Sequence, residues 1–70
     1  MNAPKNKRTV MRDTIRDAAI REFARNGLAG TSTQAIADAA GISMAQLHYY
    51  ISSKEELYQE ALGYILSEWR

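Results

Sequence analysis

The 70-residue chain contains no cysteine, one proline and one histidine. Without cysteine it can form neither a disulfide framework nor a thiolate zinc site, an absence that fits an intracellular protein. The single histidine, His48, cannot supply a histidine-based metal cluster, so we expect no metal ion and no cofactor. No apolar run approaches the ~20 residues that a membrane-spanning helix requires, and no signal-peptide pattern opens the chain. We therefore expect no membrane partner.

Acidic and basic residues nearly balance over the whole chain, which has a net charge of +1, but they are unevenly distributed. Residues 1–25 hold seven basic and three acidic side chains and carry a net charge of +4. Residues 26–70 hold two basic and five acidic side chains and carry −3. Only the amino-terminal part is therefore suited to facing phosphate groups, the alternative being a solvated basic helix followed by a solvated acidic one.

The hydrophobic pattern indicates helices and lacks the alternation that is typical of strands. Residues 1–8 include the proline and show no periodicity, so we expect a flexible basic arm there. A first helix is predicted from about Thr9 to Asn26, and Gly27 ends it. Its apolar face consists of Ile15, Ala18, Ala19, Ile20 and Phe23.

Three further helix starts are indicated by capping-box spacing, in which a hydroxyl and a side chain three residues later each bond a backbone N–H group. The resulting helices are predicted to run to Ala40, to about Tyr50 and to Arg70. The capping pairs are Thr31 with Gln34, Ser43 with Gln46, and either Ser52 with Glu55 or, equally possible, Ser53 with Glu56.

The segment from Ile36 to Ile51 has the spacing of a helix–turn–helix. Ala37 is small where the second helix approaches, and Gly41 takes a turn conformation that is costly for residues with a Cβ atom. This spacing favours DNA binding over a purely structural corner. The angle between the two helices is expected to be filled by Ile36, Ile42 and Leu47.

The second of these helices has a polar outward face on a helical wheel. Gln46 can donate to and accept from an adenine edge, or merely close its capping box. Ala45 permits close approach or contact with a thymine methyl group, and tyrosine or histidine side chains can bond phosphate oxygens. Tyr50 is equally suited to partial burial. The wheel places Leu47 and Ile51 inward, Met44 and Tyr50 on the flanks, and Ala45, Gln46, His48 and Tyr49 outward.

Phosphate contacts are also expected outside this helix. The start of the preceding helix offers unpaired N–H groups with the hydroxyls of Ser32 and Thr33, and Gln34 is available if it is not committed to its cap. A lysine near the start of the last helix can reach a flanking phosphate or be an ordinary solvated side chain. The basic side chains concerned are Lys5, Lys7 and Arg8 of the arm, and Lys54.

Several of these segments together resemble one bacterial family. They are residues 15–23 with Gly27, Thr33–Ala37, Ala40–Ser43, Leu47, Tyr49–Tyr50 and Ser53–Leu57. Over nearly its whole length the sequence resembles the TetR family of one-component transcriptional regulators. The resemblance implies an all-α fold: a three-helix, homeodomain-like helix–turn–helix head over residues 9–53, then the start of a fourth helix over residues 54–70.

The resemblance also implies partners and contacts. The partner would be double-stranded DNA, bound as a homodimer on a pseudo-palindromic operator, usually by a repressor in the bacterial cytoplasm, associated with the nucleoid. A larger helical domain, absent from this sequence, would dimerise and bind a small-molecule effector. Two departures from the family pattern are His48, where tyrosine is usual, and Ile51, where phenylalanine is usual. By family position, DNA contacts fall on Thr33, Gln34, Met44, Ala45, Gln46, His48, Tyr49, Tyr50 and Lys54.

The sequence also allows one other function class and argues against a second. A small protein–protein interaction module would use the apolar face of the last helix, whose end from Ile65 to Trp69 is expected to have no partner within this chain. An enzyme is not expected, because helical spacing scatters the possible triad of Asp38, Ser43 and His48, and no oxyanion or phosphate loop accompanies it. The apolar face comprises Leu57, Tyr58, Ala61, Leu62, Ile65, Leu66 and Trp69.

Overall fold

The computed structural model describes residues 6–68. Over these residues the chain forms four helices and no strand. They are α1 (Lys7–Asn26), α2 (Thr33–Ala40), α3 (Met44–Tyr50) and α4 (Lys54–Glu68). The all-α prediction and the order of the helices are confirmed. The predicted continuation of the last helix to Arg70 lies outside the described residues.

The first helix begins two residues earlier than predicted. Asn6 is its N-cap, since the Asn6 side chain accepts a hydrogen bond from the backbone N–H of Thr9 at 2.8 Å. Lys7 and Arg8 therefore belong to the first turn of α1, and their assignment to a flexible arm was wrong. Residues 1–5 of that predicted arm, with Lys5, lie outside the described residues.

The core lies where all four helices meet. The predicted inner face of α1 is confirmed for Ile15, Ala18, Ala19 and Phe23, which are all buried, whereas Ile20 is only half-buried. These side chains pack against residues that the sequence assigned to the helix–turn–helix corner and to the last helix. The buried residues that complete the core cluster are Ile36, Ala37, Leu47, Ile51 and Leu57, with Ile42 partly buried against them.

The turn between α2 and α3 has the predicted geometry. Gly41 has φ 75° and ψ 31°, the left-handed conformation that residues with a Cβ atom rarely adopt. Its N–H donates to the Asp38 carbonyl at 3.1 Å, and the N–H of Ile42 donates to the Ala37 carbonyl at 3.0 Å. These bonds satisfy carbonyl groups at the end of α2 and hold the start of α3 against it.

The start of α2 differs from the prediction. Its N-cap is Ser32, whose hydroxyl accepts from the N–H of Ala35 at 3.0 Å. Thr31 is buried instead, and its hydroxyl donates to the Gly27 carbonyl at 2.7 Å. The predicted capping box of Thr31 with Gln34 is therefore wrong, because the threonine side chain turns inward to the end of α1.

The other two helix starts match the sequence. In α3 both halves of the capping box of Ser43 and Gln46 are present. For α4 the second alternative is correct, because the Ser53 hydroxyl accepts from the N–H of Glu56 at 3.0 Å. The Glu56 carboxylate bonds the N–H of Ser52 at 3.2 Å and so reaches one residue further back than a standard box requires.

Replacing Gly30 by alanine is expected to lower the free energy of unfolding by about 1–3 kcal/mol. A Cβ atom at this position would overlap the backbone carbonyl oxygen of Asn26, at the end of α1. Gly63→Ala is the matched control, since a Cβ atom there meets no atom within 4 Å. Alanine inside α4 is expected to raise stability by about 0.5–1 kcal/mol. Urea unfolding followed by circular dichroism measures both, and a stabilised Gly30→Ala variant would contradict the expectation.

Candidate nucleic-acid interface

Helix α3 presents the predicted polar face to solvent. Leu47 is fully buried and Ile51 nearly so, whereas His48 and Tyr49 between them point outward. Burial of this apolar edge against α1, α2 and α4 fixes the rotation of α3 about its own axis. The exposed residues are Ala45, Gln46, His48 and Tyr49, while Met44 and Tyr50 are half-buried on the flanks. The orientation predicted from the helical wheel is confirmed.

The side chain of Gln46 is partly committed to its own helix. Its Oε1 atom accepts from the backbone N–H of Ser43 at 3.2 Å, while its backbone N–H donates to the Ser43 hydroxyl at 3.1 Å. Within residues 6–68 no hydrogen bond involves the Nε2 group of Gln46. The box thus fixes the side chain and directs a donor outward.

Aromatic side chains gather at the carboxyl end of α3. The rings of Tyr49 and Tyr50 pack edge to face, with centroids 5.1 Å apart. The Arg8 guanidinium lies 5.7 Å from the centroid of the Tyr49 ring, which is 69% exposed. The structure therefore brings the first turn of α1 beside the exposed face of α3, which joins two predicted contact regions into one surface.

The flanks of α3 are more enclosed. Tyr50 packs partly against the core, which agrees with the predicted partial burial, and contact of its exposed part with DNA stays a prediction. Lys54 is half-buried in the first turn of α4, four residues after the end of α3. His48 is exposed in the last turn of α3.

The start of α2 offers less than predicted. Thr33 is half-buried. The Gln34 side chain is not in a cap, but its Nε2 group donates to the Asp38 carboxylate at 2.8 Å. This bond to an exposed carboxylate uses one of the two N–H donors of Nε2 and leaves the other donor and the Gln34 oxygen able to contact a ligand.

Much of the positive charge of α1 is engaged inside the protein. Arg16 bonds Asp13 and Asp17, each at 3.1 Å, and its guanidinium stacks 3.8 Å from the centroid of the Tyr64 ring. Burial acts to lower the pKa of Arg16, but the hydrogen bond to Asp17 and the charges of both aspartates raise it above its ordinary value. The Arg16 guanidinium is therefore held by two carboxylates of α1 and by the Tyr64 ring of α4. It is poorly suited to binding phosphate.

Sequence reasoning missed one residue of this region, Arg12. One guanidinium nitrogen donates to the backbone carbonyl of Tyr50 at 3.0 Å, and the other donates to the Glu60 carboxylate at 3.0 and 3.1 Å. These partners lie 38 and 48 positions away along the chain, so no local pattern indicates them. Arg12 connects α1, the end of α3 and α4.

Neither a metal site nor a membrane span is found in the described part of the chain. No three histidine, aspartate or glutamate side chains among residues 6–68 come together as metal ligands. None of the helices in the same range has the length and hydrophobicity needed to cross a bilayer.

Comparison with known proteins identifies the family to which this helix–turn–helix is similar. Residues 15–61 match the sequence model described as "Bacterial regulatory proteins, tetR family". The HTH-type transcriptional regulator RutR of Escherichia coli K12 is 44% identical over 55 residues, which cover 79% of this chain and 26% of RutR. The regulatory protein RaaS of Mycobacterium tuberculosis is 41% identical over 56 residues, or 80% of this chain and 26% of RaaS.

A third relative is named as a negative regulator. The icaADBC biofilm operon regulator IcaR of Staphylococcus aureus strain Newman is 36% identical over 52 residues, covering 74% of this chain and 28% of IcaR. No solved structure gives a significant match. The chain spans about a quarter of the length of these relatives. The family match covers the helix–turn–helix, its exposed α3 face and the first half of α4. The chain belongs to the tetR family of bacterial regulatory proteins.

Proposed function

We propose that this chain recognises a specific sequence in double-stranded DNA by placing α3 in the major groove. The observation that supports this most directly is the arrangement of α3, in which a buried apolar edge carries an exposed polar face without a carboxylate. A short helix with such a face fits the width of the major groove. The relatives are named as HTH-type regulators, which agrees with this use of the helix.

The proposed contacts divide into base readers and phosphate contacts. Gln46 and Ala45 are proposed to contact base edges, and their exposure at the start of α3 supports this. The side chains around them that carry a donor are proposed to bond phosphates and to fix the register of α3 in the groove. These are Lys7, Arg8, Thr33, Gln34, His48, Tyr49, Tyr50 and Lys54. Met44 has no hydrogen-bond donor and is proposed to make an apolar contact with the DNA.

The proximity of Arg8 and Tyr49 supports a proposed contact in which both side chains bind the same phosphate of the DNA backbone. The cation–π approach of 5.7 Å holds a positive charge beside an exposed phenol. A phosphate that lies against both would accept a hydrogen bond from the hydroxyl and interact with the guanidinium. In this arrangement Arg8 acts from a helix, so its position is better defined than in a flexible arm.

The whole regulator is proposed to be a dimeric repressor that responds to a small molecule. In such a dimer two α3 helices would enter successive major grooves about 34–36 Å apart, or at a related spacing, on a pseudo-palindrome. Repression agrees with the printed role of IcaR as a negative regulator. We place the protein in the bacterial cytoplasm, associated with the nucleoid, and place both effector binding and dimerisation outside this chain.

The α1–α4 side of the head is the proposed contact with that further domain. Ile65 is half-buried beside an apolar groove of about 170 Å³ between α1 and α4, whereas Leu66 is 68% exposed. The expectation of an unpartnered end therefore holds for Leu66, while Trp69 lies outside the described residues. The groove is lined by Ile20, Phe23, Ala24, Tyr58, Ala61, Leu62 and Ile65.

Selection from a random DNA pool tests the proposal. The 70-residue chain is expected to enrich one short motif, and the same chain fused at its carboxyl end to a dimeric coiled coil is expected to enrich two inverted copies of it. Failure of both proteins to enrich any motif would overturn sequence-specific binding. An enriched motif without symmetry in the fusion would contradict the dimeric arrangement alone.

Replacing Lys54 by glutamine is expected to weaken DNA binding and to reduce the slope of log K against log salt concentration by about 0.9. The reason is that one phosphate fewer is neutralised. Titrations at several salt concentrations measure the slope, with the exposed Arg21→Gln of α1 as the control for a lost positive charge. An unchanged slope for Lys54→Gln would assign Lys54 to the solvated surface.

A further inference from the structure

We propose that Arg12 is a positioning residue for the DNA-reading helix, which fixes the carboxyl end of α3 relative to α1 and α4. The inference rests on the proposed function of α3 and adds to it a residue that does not itself read DNA. It starts from the three-way contact of Arg12 with the Tyr50 carbonyl and the Glu60 carboxylate.

The carboxyl end of α3 needs such a support. Helix α3 has seven residues and packs more extensively on α2 than on α1 or α4. Its last carbonyl groups have no donor within the helix. The Arg12 guanidinium supplies a donor to the carbonyl of Tyr50 and places a positive charge at the negative end of the helix dipole. Tyr49, beside Tyr50, is the exposed residue that this anchor holds in place.

Glu60 acts through Arg12. Both carboxylate oxygens lie 3.0–3.1 Å from one guanidinium nitrogen, and this directs the other nitrogen to the Tyr50 carbonyl. Because the guanidinium is planar and rigid, fixing one side of it fixes the other. The position of α4 is thereby transmitted to the end of α3 through a single side chain.

The Arg12–Glu60 contact contributes more to the orientation of α3 than to the stability of the fold. The side chains of Arg12 and Glu60 are 41% and 40% exposed, so their ion pair contributes little to the free energy of unfolding. The core residues determine whether the domain folds. The contact is therefore better placed to set the orientation of a helix than to hold the fold together.

The test compares two conservative variants, Arg12→Lys and Glu60→Gln, with matched controls. Arg12→Lys keeps the charge, but a single ammonium group cannot bond both partners in the same geometry. Glu60→Gln removes a negative charge, which by electrostatics alone strengthens DNA binding. The controls are Arg21→Lys on α1 and Glu55→Gln on α4, both at exposed positions.

We expect both conservative variants to bind the selected DNA motif about 5- to 10-fold more weakly than their controls. Their melting temperatures should fall by no more than about 5 °C. In ¹H–¹⁵N NMR spectra the amide of Ile51, which directly follows the Tyr50 carbonyl, should shift in both variants and in neither control.

Three outcomes would overturn the inference. One is DNA binding by Glu60→Gln that is as tight as that of Glu55→Gln. Another is the loss of cooperative unfolding in either conservative variant, which would assign the contact to stability. The third is an unshifted Ile51 amide. If the unsubstituted chain enriches no DNA motif, the proposed function fails, and the Ile51 amide still reports whether Arg12 holds α3.

Discussion

Leu47→Ala is expected to lower the free energy of unfolding by about 3–5 kcal/mol, enough to unfold most molecules of a domain this small. Leu47 is fully buried, and it packs where α3 meets the other three helices. Truncation removes apolar contacts and leaves a cavity that a small helical core can close only partly. Urea or thermal unfolding followed by circular dichroism gives the change directly.

Leu66→Ala provides the matched control, because it makes the same chemical change in a helix at a side chain that is 68% exposed. We expect its free energy of unfolding to stay within about 0.5 kcal/mol of that of the unsubstituted chain. Comparable losses at Leu47 and Leu66 would mean that the core is not centred on the helix–turn–helix corner. This pair of variants therefore tests the fold independently of any DNA measurement.

The double variant Gln46→Ala with Tyr49→Ala is expected to bind the selected DNA motif on the order of 100-fold more weakly. A specific base contact contributes about 1–3 kcal/mol to discrimination, and a neutral hydrogen bond to phosphate contributes about 1 kcal/mol. Binding is measured by fluorescence anisotropy at fixed salt concentration, since affinity for DNA depends steeply on salt.

Controls for this variant separate recognition from folding. Gln59→Ala removes the same side chain from an exposed position of α4 and should leave affinity unchanged. Gln46→Ala alone should cost up to about 1 kcal/mol of stability, because it removes one half of the α3 capping box. Tyr49→Phe keeps the ring that packs on Tyr50 and removes only the hydroxyl. Undiminished binding by the double variant would show that α3 does not read DNA.

The corner itself was predictable from sequence because its determinants are local. Gly41, the box of Ser43 and Gln46, and the inward position of Leu47 all depend on spacings of a few residues. Short spacings determine capping, turn conformation and the buried face of a helix before any tertiary contact forms. The exposure of one face of α3 was predicted correctly for the same reason.

The predictions from sequence failed where the position of a side chain depends on contacts between residues far apart in the chain. Thr31 has the spacing of a cap, but its hydroxyl bonds the Gly27 carbonyl at the end of α1. Arg12 counted in the sequence only as one positive charge, since its partners become neighbours only when α1, α3 and α4 pack together. The early start of α1 is different, because Asn6 three residues before Thr9 is a local cap signal that was overlooked.

The capping box of α3 restricts which bases Gln46 can contact. With the Gln46 oxygen bonded to the Ser43 N–H, the amide reaches the groove as a hydrogen donor. Guanine, through N7 and O6, adenine, through N7, and thymine, through O4, offer acceptors to such a group, whereas cytosine presents only a donor. Bidentate recognition of adenine would require the Gln46 oxygen to accept a second hydrogen bond or to leave Ser43. Cytosine is therefore the base that is not expected where Gln46 reaches the groove.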